Sequence, residues 1–291
     1  ALNILEKVPP DRRPLLVSSV ISIFQKLFGE HWQHRQEHIL RNVLLALVER
    51  EDEATLLDVY RMLTDWQYRK TITEGINDPI VKSFWINEFL KYMEQTRGDA
   101  LTPLLNKLGA FVTSPLMRSI IGQPWNTVDF RQVIDEGKIL LVDLSKGRVG
   151  EDVASFLGAV IVTKLQLAAM SRIDVPEDQR RDFYLYVDEF QNSAATSFIG
   201  LLSEARKYRL SVILAHQYLG QLEDDVRESI FGNVGTIISF RVGAEDAKYL
   251  AREFYPALSE EDFVHLPPYH IYLRLMIDGV MSRGFSARTY I

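Results

Sequence analysis

Apolar residues recur at helical spacing through the first part of the chain. In "EHILRNVLLALVER", Leu40, Val43, Leu44, Leu47 and Val48 fall on one face, the pattern of a helix turned toward a core. "DEATLLDVYRMLTD" opens with Thr55 and Asp58 in capping-box spacing, and "DPIVKSFWINEFLKYM" places Asp78 at an N-cap position with Pro79 at the first helical one. "SPLMRSIIG" repeats that start with Ser114 and Pro115 and stops at Gly122. No strand-like alternation interrupts these segments, so residues 1–122 read as an all-helical subdomain.

After Gly122 the rhythm changes. "DFRQVIDEG" predicts a short helix closed by Gly137, and "KILLVDLS" a continuous apolar strand of the kind covered by helices on both faces. A long apolar helix to about residue 172 and the charged loop "VPEDQRR" follow. Strand "FYLYV", helix "SFIGLLSEARKY", strand "LSVILA", helix "EDDVRESIF", strand "GTIISFR" and helix "EDAKYLAREF" then alternate, which predicts βαβ units and a mainly parallel sheet. "YHIYLRLMI" and "VMSRGFSARTY" flank Asp278 and Gly279, a pair suited to a tight turn, so an antiparallel hairpin is expected to finish the sheet. The fold class is therefore α/β over 123–291, preceded by the all-α subdomain.

Composition narrows the class. With 291 residues, nearly half of them apolar, the chain can bury a sizeable core. It has no cysteine, which excludes disulfides and thiolate metal sites and leaves the cytoplasm as the expected compartment. The stretch 153–170 reaches the minimum length for a membrane span, but Lys164 and Gln166 inside it favour a buried helix, so no membrane segment is expected here. A net charge of −6 argues against a surface coated for nucleic acid, though not against a few central loops that grip a strand.

The candidate chemistry sits in "FYLYVDEFQN". Five uncharged residues run into Asp188 and Glu189, as when a buried strand delivers two carboxylates to a sheet edge, one for the water shell of a metal ion and one to orient an attacking water. The plain alternative is a strand ending in solvated acids. One crossover later "LSVILAHQ" ends in His216 and Gln217, which would bring an amide beside the carboxylates at the edge where open α/β sheets bind ligands. A phosphate cradle, G-x-x-x-x-G-K-[ST], is absent. Its nearest imitation, "SKGRVGED", puts Glu151 and Asp152 where phosphate would lie, and reads better as a plain turn.

Arg206, Lys207 and Arg209 cluster at a helix end, where cations complement the helix dipole or where one arginine could reach a neighbouring subunit's nucleotide. His31, His34 and His38 recur at one-turn spacing without an acidic partner of recognisable zinc spacing. Asn233 and Arg241 could approach the sheet edge, but the glycines around them serve turns as readily.

Together "YLYVDEFQN", "LLSEARKYRLSVILAHQYLGQL" and "IFGNVGTIISFRVGAEDAKYL" resemble, in order, the second half of the motor domain of type IV secretion coupling proteins and of the related HerA- and TraD-like DNA-pumping ATPases. The likeness runs from about 138 to 288, and the helical first half is similar in position to the all-α insertion of coupling proteins. It implies a RecA-like ATPase that uses ATP and Mg2+, forms a homo-hexameric ring and passes DNA through its central pore. It further implies Asp188 as the magnesium ligand through water, Glu189 as catalytic base, Gln217 as phosphate sensor and Arg206 as a trans-acting arginine. The family's Walker A strand and loop are missing and are expected upstream of Ala1, leaving this segment inactive by itself. The alternative is a non-catalytic adaptor for a secretion channel or relaxase.

Overall fold

The computed structural model describes residues 1–91, 101–190 and 196–290. The chain forms two compact units, Ala1–Asp182 and Phe183–Ile291.

The first unit is helical: α1 (Arg13–Phe28), α2 (His34–Val48), α3 (Leu56–Thr64), α4 (Trp66–Glu74), α5 (Pro79–Ser83), α6 (Leu101–Thr113), α7 (Pro115–Ile121), α8 (Phe130–Glu136) and α9 (Glu151–Met170). The starts read from sequence are made by the expected groups. The Thr55 amide donates to Asp58 Oδ2 (2.8 Å), Asp78 accepts from the amides of Ile80 and Val81, and Ser114 accepts from Met117. Gly137 closes α8 with φ +65°, a conformation that a Cβ would strain.

Helix α9 is the centre of this unit. Its Phe156 stacks on Phe111 of α6 (centroids 4.5 Å apart) and lies against Phe24 of α1 (6.2 Å). Lys164, almost fully buried, is paired with Glu6 of the N-terminal segment. Burial pulls the Lys164 ammonium below its ordinary pKa, and the Glu6 charge opposes that pull. A span running on to Asp174 is long and apolar enough to cross a membrane, yet 67% of its most apolar window is buried inside the unit.

The segment 138–145 departs from expectation. It forms no strand, and Ile139 and Leu141 are 88% and 89% exposed. A largely apolar strand needs ladder partners as well as covered faces, and among its described residues the first unit has no strand for it to pair with.

Among its described residues the second unit holds seven strands: β1 (Phe183–Val187), β2 (Leu210–Leu214), β3 (Ile237–Ser239), β4 (His270–Arg274), β5 (Met276–Ile277), β6 (Val280–Met281) and β7 (Phe285–Arg288). Its helices are α10 (Thr196–Glu204), α11 (Asp224–Asn233), α12 (Ala244–Glu253) and α13 (Glu260–Val264). Among the described residues parallel pairing is confined to β1 and β2. Strand β3 pairs antiparallel with β4, and β4 with β7. Asp278 (φ +49°) and Gly279 (φ +79°) make the tight turn between β5 and β6. Phe263 of α13 packs edge-on to Phe254 and Tyr272, joining α12 and β4 in a core with Ile237, Ala247 and Leu250.

Candidate functional site

Strands β1 and β2 run parallel in the register Phe183↔Leu210 through Val187↔Leu214. The residues that follow, Asp188 and Glu189 on one side and Ala215, His216 and Gln217 on the other, therefore leave the same edge, about one strand spacing apart. Two backbone bonds bind these ends together. The Ala215 amide donates to Val187 O (2.9 Å), and the Phe190 amide donates to Ala215 O (2.8 Å).

Both bonds converge on Ala215, so Asp188 and Glu189 must turn within two residues. Glu189 does so with φ +47°, in the left-handed region that side chains with a Cβ rarely occupy. Strain of this kind concentrates at functional sites, where surrounding contacts over-determine it. The contacts are visible: Phe190 is completely buried, and the Glu189 amide donates to Asp188 Oδ1 (2.9 Å). Asp188, Glu189 and Gln217 remain exposed at the rim. Gln191 and Asn192, which complete the motif in sequence, lie outside the described residues.

The chain beyond Gln217 is held by a group that sequence reading missed. Asp246, on the first turn of α12, is 7% exposed and accepts a hydrogen bond from the Leu219 amide (2.9 Å). His216 is partly buried, and burial holds its imidazole below the ordinary pKa while the Asp246 charge works in the opposite direction. In sequence Asp246 reads only as an acid complementing a helix dipole, which gives no hint of its burial.

Arg206 is exposed on the 3-10 turn Ala205–Tyr208, immediately before β2 begins. It thus stands at the opposite end of the sheet from Gln217, separated by the length of a five-residue strand, about 15 Å. Four other candidates have local partners. Lys146 pairs with Glu151 (2.6 Å) and Arg148 with Asp143 (2.9 Å), His38 bonds Glu88 (3.3 Å), and Asn233 donates to Ser229 O within its own helix (2.8 Å). Arg241 is exposed beyond β3. Among the described residues no group of three or more His, Asp or Glu side chains could hold a metal ion alone.

Residues 182–254 match the family model described as the TraM recognition site of TraD and TraG, a stretch that runs from the foot of β1 through α12 and contains the whole candidate site. No curated protein matches the chain in sequence. Among solved structures it is similar to the plasmid coupling protein TrwB in complex with ADP and Mg2+, at a TM-score of 0.67 and 14% identity over 99% of this chain and 70% of that one. It is also similar to TrwB in complex with the ATP analogue ADPNP (0.63, 14%, 99% and 70%). The same holds for VirB4 of Thermoanaerobacter pseudethanolicus (0.61, 13%, 100% and 76%). At these identities the likeness establishes the fold, and with the family match it bears out the resemblance to coupling proteins carried by the three motifs.

Proposed function

We propose that this chain supplies the metal-holding and phosphate-sensing part of an ATP-driven motor that moves DNA. The observation that carries the reading is the meeting of Asp188, Glu189 and Gln217 at one edge of a parallel strand pair, with Glu189 held in a strained turn. The fold shared with TrwB, which has been solved with ADP and Mg2+, supports it.

The residues present suit magnesium. Asp188 is a hard oxygen donor at a strand end, with one oxygen accepting the Glu189 amide, and it belongs to no group of three or more metal-ligating side chains among the described residues. Mg2+ keeps several waters and binds through one or two carboxylates plus phosphate oxygens, so a single carboxylate acting through water fits it. The ion, when bound, neutralises charge on the phosphates. Glu189 orients the attacking water and takes its proton, and the Gln217 amide donates to the terminal phosphate. No G-x-x-x-x-G-K-[ST] loop occurs in these 291 residues, so the chain by itself turns over ATP slowly. Arg206, at the far end of the strand pair, meets a phosphate only in a neighbouring copy, which suits a homo-hexameric ring with DNA in its central pore.

The test is ATP hydrolysis by the full-length protein with and without DNA. Stimulation by DNA that is abolished in Glu189→Gln is expected, and turnover indifferent to DNA points to a different NTPase. The description of the family model, a recognition site for another protein, favours one second reading, a non-catalytic adaptor for a relaxase or secretion channel. Absence of ATP hydrolysis in the unsubstituted protein, with or without DNA, would select it.

A further inference from the structure

The Gln217 side chain has no hydrogen bond among the described residues, so its place is set by the backbone on either side. On one side the Ala215 amide is tied to Val187. On the other the Leu219 amide is tied to the Asp246 carboxylate, and the Leu219 side chain is itself buried. Residues 216–218 therefore bridge two fixed points, with Gln217 at the midpoint.

A buried carboxylate is costly to retain unless something holds its charge. Here the helix amino end and one amide do so. An apolar residue at this position would avoid that cost. The acid belongs where it is because the loop needs an acceptor there. We propose that Asp246 is a positioning residue for Gln217, holding the 216–219 turn so that the amide stays in reach of the terminal phosphate. The proposal rests on the function assigned to Gln217 above.

Three variants of the full-length protein test it by steady-state ATP hydrolysis: Asp246→Ala, Asp246→Asn and Gln217→Ala, with the Asp246→Ala/Gln217→Ala double. Asp246→Ala should lower kcat by about 10- to 100-fold, the range of a misplaced group, with KM for ATP changed by less than about threefold. Asp246→Asn keeps an acceptor oxygen and should retain kcat within about threefold. The double variant should be no slower than Gln217→Ala, since the two act as one unit. Losses that multiply in the double variant, or Asp246→Ala at wild-type kcat while Glu189→Gln is dead, would overturn the positioning role alone. Survival of hydrolysis in Glu189→Gln overturns it together with the functional reading. Amide exchange in the unsubstituted protein checks the bond without any variant: the Leu219 amide should exchange far more slowly than that of Gln217, and equal rates refute it.

Discussion

Replacing Glu189 by alanine and by glycine separates the strain of its turn from its chemistry. At φ +47° a residue with a Cβ is disfavoured by about 1–2 kcal/mol, which glycine escapes. Glycine gives back roughly 0.5–1 kcal/mol through the greater freedom of its unfolded chain. Glu189→Gly should therefore be more stable than Glu189→Ala by about 0.5–1 kcal/mol, and because Glu189 is exposed no burial difference clouds the comparison. The same pair at Lys248, an exposed site inside α12, should show the opposite sign, with glycine the weaker by about 1 kcal/mol. All four tryptophans, Trp32, Trp66, Trp85 and Trp125, lie in the first unit, so their fluorescence does not report on this one. Native-state amide exchange of β1 and β2 does. Equal protection in the two Glu189 variants, or more in alanine, would mean that the turn is not left-handed in solution and that the site stores no strain.

Two further outcomes follow from the packing. Phe190→Ala removes a fully buried ring and should cost about 3–5 kcal/mol in the second unit, read as lost protection of β1 and β2. Tyr68 has its phenol raised above its ordinary 10.0 by burial and by the hydrogen bond it donates to Asp58 (2.7 Å). An unfolded tyrosine loses its proton near that value while the folded one keeps it, so this contribution is intact below pH 10.0 and fades as pH rises beyond it. The urea midpoint followed by tryptophan fluorescence should fall less steeply above that pH in Tyr68→Phe, and a slope equal to wild type would refute the assignment.

Local rules carried much of this molecule. Asp78, Ser114, Thr55 and Gly137 start or stop helices because a cap needs only neighbours within one turn of chain, so its signal is complete in a short window. Placing Asp188, Glu189 and Gln217 at one edge needed one more step, the inference that two apolar runs joined by a helix pair in parallel, and β1 and β2 do so. The run at 138–145 shows where that inference stops. Its residues favour a strand as strongly as those of β2, but whether a strand forms depends on a partner edge that no property of the segment encodes.

What the chain decided by itself is the position of its helix ends, the change from helical to alternating rhythm, and which acids and amides follow its strands. How those groups are held was settled by packing between distant segments. Glu189 turns left-handed between two backbone bonds that both end on Ala215, its amide donating to Val187 and its carbonyl accepting from Phe190, Phe190 is drawn wholly inside, and Asp246 is buried against a loop 27 residues before it in sequence. The reason is the range of the forces: capping and periodicity act within a turn or two, whereas the desolvation of a carboxylate or the strain of a backbone angle depends on every element packed around it.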